Sequence, residues 1–319
     1  MKIGGIMISV CLCTYNGEKV IRKQINSILS QSMLPNEIVI FDDASTDDTV
    51  YLIKEYINAY PKVKWKLKVR TENCGWKTNF YDAINSCNGD YIFLCDQDDF
   101  WYSYKVKEMV DILESNDKIL LLSSNYYLEI NNSLSRRKGI SYNKNVVFVS
   151  YKSKKSIAPF NPGCTYCFKK ELVTDFNRYW NKELAHDRVL WCVACVKDGL
   201  YIYNNPCINW VRTGSTASAV TKSHFSKERF EFKVKENYAD QLISKKLIKL
   251  SKELGNYDKV TYYCKYLNKV DLQHKLYKNG KIKYALKLFF KLHWYRSFKS
   301  YLQDFIAFRF YDKSNLLNR

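Results

Sequence analysis

Short apolar runs alternate with amphipathic stretches along the first 125 residues of the chain. The segment from Met7 to Cys13 is an almost continuous apolar run, which is typical of a parallel strand that is buried on both faces. The apolar residues that follow recur at the spacing of a helix: Val20, Ile21, Ile25, Ile28 and Leu29. Because this unit repeats, the pattern predicts an open, mostly parallel α/β sheet flanked by helices.

Further strands are predicted over residues 37–41, 63–69, 90–95 and 119–122, and further helices over residues 46–60, 77–87 and 105–113. We expect Ser45 or Thr46 to cap the helix over residues 46–60 and Pro61 to end it. Residues 126–160 are polar and are expected to form a loop and a hairpin, and residues 161–212 return to strand and helix patterns.

The last third of the chain has a different character. Its Leu, Ile, Tyr and Phe residues recur at helical spacing among lysines, and residues 225–319 contain 22 basic and 9 acidic side chains, a net charge of +13 out of +19 for the whole chain. We therefore predict an α/β domain over residues 1–224 and a basic, aromatic-rich helical region over residues 225–319. Such a charge favours a polyanion or an anionic surface as partner.

Composition excludes several classes of protein. Hydrophobic residues make up 46% and charged residues 26% of the chain, which is ordinary for a globular protein and excludes wholesale disorder. No apolar run reaches the roughly 18–20 residues that span a bilayer. The run from Gly4 to Cys13 leads into polar residues without a small-residue cleavage site, so we interpret it as a strand rather than a signal peptide. We expect a soluble chain that stays inside the cell.

The chain has 11 cysteines, an odd number, and several lie in apolar stretches where free thiols behave as small hydrophobic groups. Cys164, Cys167, Cys192 and Cys195 have a spacing that could hold a structural zinc ion. Neither pair encloses a Gly or Pro, and the second pair lies in an apolar run typical of a buried helix. We therefore favour buried free thiols over a zinc site.

Polar residues follow three of the predicted strands, at the edge of an α/β sheet where ligands bind. Thr14-Tyr15-Asn16-Gly17-Glu18 follows the first strand and lacks the glycine pattern of a dinucleotide-binding loop. Asp42-Asp43 follows the second strand, and Asp96-Gln97-Asp98-Asp99 the fourth. Clustered carboxylates repel one another unless a cation lies among them, and hard divalent cations prefer oxygen ligands. A solvated acidic turn is the alternative, but here the cluster lies between a very apolar strand and Trp101.

Residues 9–17, 42–47 and 96–101 together resemble the family 2 glycosyltransferases of GT-A fold. The D-Q-D-D-x-W form of the third segment, with a later His186-Asp187, is most similar to the bacterial rhamnosyltransferase-like branch. The likeness extends in order over residues 6–215, and residues 280–290 resemble the helical C-terminus of that branch. It implies a metal-dependent inverting glycosyltransferase that uses a nucleotide-sugar donor with Mg²⁺ or Mn²⁺. dTDP-L-rhamnose is the favoured donor, and a UDP-hexose is the next candidate.

The resemblance also implies roles for individual residues. The nucleotide side of the site would contain Thr14, Tyr15, Asn16, Glu18, Asn73, Gly75, Asn79 and Asp96, with Asp42 or Asp43 binding the pyrimidine. Asp98 would ligate the metal ion at the diphosphate, and Gly163 would lie beneath the donor sugar. Gly75 and Gly163 are also consistent with plain turns.

Asp187 would be the general base that removes the proton of the acceptor hydroxyl, and His186 would orient Asp187 or touch the acceptor. The alternative for Asp187 is an acidic residue that is favoured at a helix N-terminus by the helix dipole, and the alternative for His186 is a purely structural histidine. Arg212 would pair with phosphate oxygens. The branch commonly has a histidine near this arginine, and residues 210–215 have none.

Two other classes of protein are alternatives for this sequence. A nucleic-acid-binding protein would suit the charge and the 50 aromatic residues, but most aromatic residues lie in core-like patterns and no nucleic-acid motif is present. A nucleotidyltransferase would need a glycine-rich basic loop after the first strand. We therefore expect no nucleic-acid partner.

Residues 275–309 contain nine basic residues and one acidic residue among many apolar ones, a composition that suits an interfacial helix on an anionic membrane. The alternative is a helical hairpin whose apolar stripe packs on the catalytic domain. We expect a cytoplasmic enzyme that is peripheral at the inner face of the cell membrane and acts on a lipid-linked glycan acceptor.

Overall fold

The computed structural model describes residues 5–130, 133–138, 144–153, 156–212, 227–295 and 297–307. The chain forms two compact units, one of Met1–Ser150 with Ala158–Gly214 and the other of Tyr151–Ile157 with Ser215–Arg319. The boundary that the sequence predicts after residue 224 lies outside the described residues.

The first unit is an α/β structure. Its strands are β1 (Ile8–Thr14), β2 (Glu37–Asp42), β3 (Lys64–Val69), β4 (Tyr91–Cys95), β5 (Phe100–Trp101), β6 (Leu121–Ile130), β7 (Ser133–Lys138), β8 (Val146–Phe148), β9 (Tyr166–Lys169) and β10 (Leu200–Arg212). Its helices are α1 (Ile21–Leu29), α2 (Thr49–Ala59), α3 (Trp76–Ser86), α4 (Lys105–Ser115), α5 (Leu172–Tyr179) and α6 (His186–Val196). A short 3-10 turn, Gly163–Thr165, precedes β9.

All ten strands belong to one mixed sheet in the order β3-β2-β1-β4-β9-β6-β10-β5, with β7 beside β6 and β8 beside β10. Strands β3, β2, β1 and β4 are parallel, β9 is antiparallel to both neighbours, and β10 is parallel to β6. Strands β1, β2 and β4 are buried along their whole length, which is why each is almost continuously apolar in sequence. The predicted α/β sheet is confirmed.

One local prediction was wrong. The second helix begins at Thr49, and neither Ser45 nor Thr46 caps it, because the Ser45 hydroxyl instead donates to Asp42. An Asp47 carboxylate oxygen accepts from the backbone N–H of Thr49 at 3.0 Å. Strand β6 continues to Ile130 and pairs antiparallel with β7, which agrees with the hairpin expected within residues 126–160.

The second unit is helical, as predicted. Its helices are α7 (Lys227–Glu253), α8 (Tyr257–Asn279), α9 (Ile282–Phe289) and α10 (Phe298–Ala307). Gly280, at φ +57°, ends α8 in the left-handed conformation that glycine adopts most easily. The core of this unit consists of the buried residues Phe230, Leu276, Tyr277, Ala285, Leu288, Tyr295 and Tyr301. Within the described residues, no helix combines the length and the apolar character needed to cross a bilayer.

Candidate active site

The loops after β1 and β4 are joined directly at the carboxyl edge of the sheet. The Gln97 side chain accepts a hydrogen bond from the backbone N–H of Tyr15 at 2.8 Å and donates to the Tyr15 carbonyl at 3.0 Å. Gln97 also fills the space beside Gly17, where an added Cβ would lie 2.5 Å from its Oε1. The sequence reasoning did not assign Gln97 a role, yet this side chain holds the two polar segments together.

Asp42, the last residue of β2, is hydrogen-bonded to Thr14, the last residue of β1. It is fully buried and accepts hydrogen bonds from the Thr14 hydroxyl at 2.7 Å, the Ser45 backbone N–H at 2.8 Å and the Ser45 hydroxyl at 2.6 Å. Both carboxylate oxygens therefore have protein partners. Asp42 and Thr14 are therefore held in place at this sheet edge by contacts within the protein.

Asp43 fixes the loop that precedes α3. Its carboxylate accepts hydrogen bonds from the backbone N–H groups of Cys74 and Gly75, both at 2.9 Å. Gly75 has a φ of +83°, a conformation that residues with a side chain rarely adopt. The Asn73 side chain accepts from the Gly75 N–H as well, at 3.0 Å.

Asn79 is buried at the start of α3 and ties this helix to β2 and β3. Its amide donates to the Phe41 carbonyl at 2.7 Å and accepts from Arg70 Nε at 3.0 Å. Asn79, Asp42 and Asp43 thus shape the edge through contacts within the protein. Direct contact of any of them with a nucleotide stays a prediction.

Tyr15, Asn16 and Glu18 present the exposed part of this edge. Tyr15 is 46% exposed, and Asn16 adopts a positive φ of 47° while its side-chain oxygen accepts from the Thr46 N–H at 2.8 Å. Glu18 accepts from the Asp48 N–H at 3.4 Å. Tyr15 and Asn16 are thus exposed at the end of β1, and Glu18 is half-buried.

Asp96, Asp98 and Asp99 form a carboxylate cluster that the fold partly removes from water. Burial, with the charges of Asp98 and Asp187, raises the pKa of Asp96 to about 7. Burial also raises the pKa of Asp98, although the nearby charge of Arg212 acts in the opposite direction. Arg212, the last residue of β10, therefore faces the cluster, with its guanidinium carbon 4.4 Å from the centre of the Trp210 ring.

Asp99 is the most deeply buried member of the cluster. One of its oxygens accepts from the Val211 N–H at 3.0 Å, and the other is buried and has no hydrogen-bond partner among the residues that the structure describes. Potential ligand atoms of Asp96, Asp99 and Cys164 lie within 4.8 Å of one another. An unpaired buried carboxylate oxygen among other carboxylates fits a site that takes up a cation.

The donor atoms at this cluster suit a hard cation. Carboxylate oxygens are the ligands that Mg²⁺ and Mn²⁺ prefer, whereas burial raises the pKa of the Cys164 thiol and keeps it neutral. Sequence reasoning named Asp98 as the ligand, whereas the group of close potential ligand atoms found among the described residues contains Asp96 and Asp99 with Cys164 and does not include Asp98. Among the described residues, no metal cluster contains Cys167, Cys192 or Cys195, so the zinc alternative finds no support.

His186 and Asp187 begin α6 beside this cluster. One Asp187 carboxylate oxygen accepts from the Arg188 N–H at 2.7 Å, and an added Cβ on Gly163 would lie 2.9 Å from Asp187 Cβ. His186 is buried and stacks on Phe80 at a ring-centroid distance of 3.9 Å. Burial lowers the pKa of His186 to about 3, so the imidazole is neutral at physiological pH.

Lys105 is a buried cation that sequence reasoning missed. Its side chain is fully buried, its ammonium donates to the Cys164 carbonyl at 2.6 Å, and it lies 3.8 Å from the centre of the Trp101 ring. Burial lowers its pKa, and the neighbouring Asp99 charge opposes that effect. Lys105 stands four residues before the core residue Met109, a spacing that could have placed it on the inner face of α4.

Comparison with known proteins identifies relatives of this chain. The family described as Glycosyl transferase family 2 matches residues 9–176. The dTDP-rhamnosyl transferase RfbG of Shigella flexneri is 35% identical over 187 residues, which is 55% of this chain and 60% of RfbG. The UDP-Glc:alpha-D-GlcNAc-diphosphoundecaprenol beta-1,3-glucosyltransferase WfaP of Escherichia coli is 31% identical over 127 residues, 39% of this chain and 47% of WfaP. The chain thus matches less than two thirds of the length of either relative.

Solved structures share the fold. TarS residues 1–349 of S. aureus in complex with UDP-GlcNAc align with a TM-score of 0.61 at 18% identity, covering 94% of this chain and 81% of that one. A mannosyltransferase of Pyrobaculum calidifontis in complex with GDP-Man and Mn²⁺ gives a TM-score of 0.52 at 14% identity, covering 97% and 85%. The sheet and its flanking helices therefore have the GT-A fold. Because the family match extends over more than half of the sequence, the chain belongs to glycosyltransferase family 2.

Proposed function

We propose that the protein transfers L-rhamnose from dTDP-L-rhamnose to a hydroxyl group of a growing, lipid-linked bacterial surface polysaccharide, with inversion at the anomeric carbon. The observation that carries this proposal is the position of Asp187 beside the Asp96–Asp99 carboxylates, with the Gly163 backbone against it. Asp187 is thus a separate carboxylate, carried by α6, that lies near a cluster suited to a cation.

Asp187 is the proposed general base. In the transfer step its carboxylate takes the proton of the acceptor hydroxyl while that oxygen bonds to the anomeric carbon and the bond to the nucleotide diphosphate breaks. The oxygen enters opposite the leaving diphosphate, so a single displacement inverts the configuration. The neutral His186 stacks on Phe80 and fixes the start of α6, which positions Asp187.

Asp96, Asp98 and Asp99 are the residues that would hold Mg²⁺ or Mn²⁺. When bound, the ion would neutralise the negative charge that develops on the departing diphosphate. Arg212 lies beside Asp98 and would pair with phosphate oxygens of the same group. Glycine at residue 163 lets the turn before β9 approach α6 closely, because an added Cβ would lie 2.9 Å from Asp187 Cβ.

The similarity to RfbG supports dTDP-L-rhamnose as donor. The similarity to WfaP, whose name gives a UDP-Glc donor and a lipid-diphosphate acceptor, supports a UDP-hexose as the second candidate. An acceptor of that kind is confined to a membrane, so we infer a cytoplasmic enzyme attached peripherally to the inner membrane face.

A donor screen tests this function without knowledge of the acceptor. The purified protein is incubated with dTDP-L-rhamnose, UDP-glucose, UDP-GlcNAc and GDP-mannose, each with Mg²⁺, Mn²⁺ or a chelator, and the released nucleotide is measured. We expect slow release of dTDP that the chelator stops. Release of nucleotide from a UDP-sugar and not from dTDP-L-rhamnose would show that the donor is the UDP-sugar. No release from any donor would contradict the proposed chemistry.

A further inference from the structure

The last two helices of the second unit leave a large apolar surface uncovered. We call it the α9–α10 face, and its residues with their exposed fractions are Ile282 57%, Leu286 57%, Phe289 48%, Phe290 82%, Phe298 55% and Leu302 37%. Single exposed apolar side chains are normal on a soluble protein, but a contiguous group of this size marks an interaction surface.

The face is distinct from the core of the unit. In α9, Ala285 and Leu288 are fully buried, whereas Ile282, Leu286 and Phe289 follow one another at the spacing of the outer side of the helix. The apolar surface of α9 is therefore wider than packing within the unit requires. The two alternatives drawn from the sequence treated the apolar residues of this stretch as one set, and the structure divides them between a core and an exposed surface.

The exposed residues of α9 and α10 form one surface. The ring centroids of Phe289 and Tyr301 are 6.1 Å apart, and those of Phe298 and Tyr301 are 5.8 Å apart. Tyr301 is itself buried, so the two exposed phenyl rings lie against the same core residue. Phe290 extends the surface, with its ring 5.9 Å from that of Phe289.

The exposed charged residues that the structure describes on α9, α10 and the turn before α9 are all basic. Lys281, Lys283, Lys287 and Lys299 are exposed on the same two helices and the turn before them. Residues 280–307 contain one acidic residue, Asp304, and its side chain is buried. An apolar surface with exposed lysines on the same helices matches the boundary between anionic head groups and acyl chains.

Asp304 also explains why the face is already formed in the free protein. Its carboxylate accepts hydrogen bonds from Lys233 of α7 and from Gln273 and Tyr277 of α8. These buried contacts fix α10 against the two long helices before any partner binds. The face is therefore rigid, unlike a tail that folds only on contact with its target.

We propose that the α9–α10 face is a preformed docking surface for an anionic lipid bilayer. Its aromatic and aliphatic side chains enter the acyl boundary, and its lysines contact the head groups. The inference extends the membrane attachment proposed above by naming the surface, and its test does not depend on the chemistry of the active site.

The test is sedimentation of the full chain with vesicles of phosphatidylglycerol and phosphatidylethanolamine, compared with vesicles of phosphatidylcholine. We expect binding to the anionic vesicles that weakens as salt is added. The double variant Leu286→Gln with Phe290→Gln should weaken binding by about tenfold or more, because two exposed apolar anchors are lost. Lys283→Gln with Lys287→Gln should reduce the preference for anionic lipid. Circular dichroism should show no gain of helix on binding.

Tyr257→Gln is the matched control, because Tyr257 is 74% exposed on the same unit but lies at the start of α8, outside the face. This variant should bind vesicles like the unaltered protein. Equal binding by the Leu286–Phe290 variant, or no binding by the unaltered chain, would overturn the proposal. Self-association that this variant abolishes, without any vesicle binding, would assign the face to a second copy of the chain instead.

Discussion

Gly163 and Asp187 approach each other so closely that no side chain fits between them. A Cβ added to Gly163 would lie 2.9 Å from Asp187 Cβ and 3.4 Å from His186 Nε2. The constraint is one of space rather than of backbone conformation, because Gly163 is not among the residues with positive φ. The turn that carries Gly163 thus sets where the proposed base stands relative to the carboxylates after β4.

Gly163→Ala should displace Asp187 or the turn by a few tenths of an ångström. We expect kcat to fall by about tenfold or more, and the unfolding free energy to fall by roughly 1–3 kcal/mol from overpacking. Steady-state kinetics and urea unfolding measure the two effects. Gly5→Ala is the control, because a Cβ there meets nothing within 4 Å. Unchanged kcat in the Gly163 variant would show that this contact does not position the base.

Asp187→Asn keeps the shape of the side chain and removes its ability to take a proton. Transfer should fall by a factor on the order of 10²–10⁴, the usual contribution of a general base, while donor affinity stays the same. Calorimetry with the donor nucleotide and a transfer assay separate the two quantities. Near-normal transfer by this variant would contradict the mechanism, and loss of donor binding would place Asp187 on the donor side.

Asp98→Ala should abolish the part of nucleotide binding that depends on a metal ion. Calorimetry with dTDP in Mn²⁺ and in a chelator measures that part, and Asp99→Asn tests the second carboxylate that the structure brings to the cluster. Asp117→Ala is the control, because the Asp117 side chain is fully exposed and lies outside the cluster. If Asp98→Ala retains metal-dependent binding and Asp99→Asn loses it, the ligand is Asp99.

The sequence predicts a strand of the sheet well where burial on both faces makes the strand apolar throughout. Strands β1 and β4 are apolar throughout because both faces are covered, and their predicted bounds are close to those observed. Strand β6 was harder to predict, because it continues through the buried polar residues Ser123, Ser124 and Asn125. These residues stay in the sheet because the Asn161 amide donates to Ser123 and Ser124, a contact that only the folded chain provides.

In the candidate site, too, some residues could be predicted from the sequence and others only from the folded structure. The carboxylates after β4 could be found because they are neighbours in sequence and follow an apolar strand. The contact of Lys105 with Cys164 could not be predicted, because it joins the inner face of α4 to a turn 59 residues further along the chain. In the last helices, periodicity predicted the helical structure, but which apolar residues face the core depends on how α10 packs through Asp304.

His186 should make the stability of the protein depend on pH. Burial lowers the pKa of this residue to about 3 in the folded protein, and its Nδ1 has no hydrogen-bond partner in the described structure. The unfolded chain takes up a proton near the ordinary pKa of about 6.5. Its contribution to stability is therefore complete above pH 6.5 and is lost progressively as the pH falls towards about 3.

His186→Phe keeps a ring stacked on Phe80 and removes the proton-binding group, so it should flatten this dependence. Between pH 7.5 and 5 the unfolding free energy of the unaltered protein should fall by about 2 kcal/mol more than that of the variant, at about 1.4 kcal/mol per pH unit below 6.5. Urea titrations at the two pH values measure the difference. His293→Phe is the control, because His293 is exposed and lies in the second unit. Parallel pH profiles for the unaltered protein and His186→Phe would show that the folded chain accommodates a protonated imidazole at residue 186.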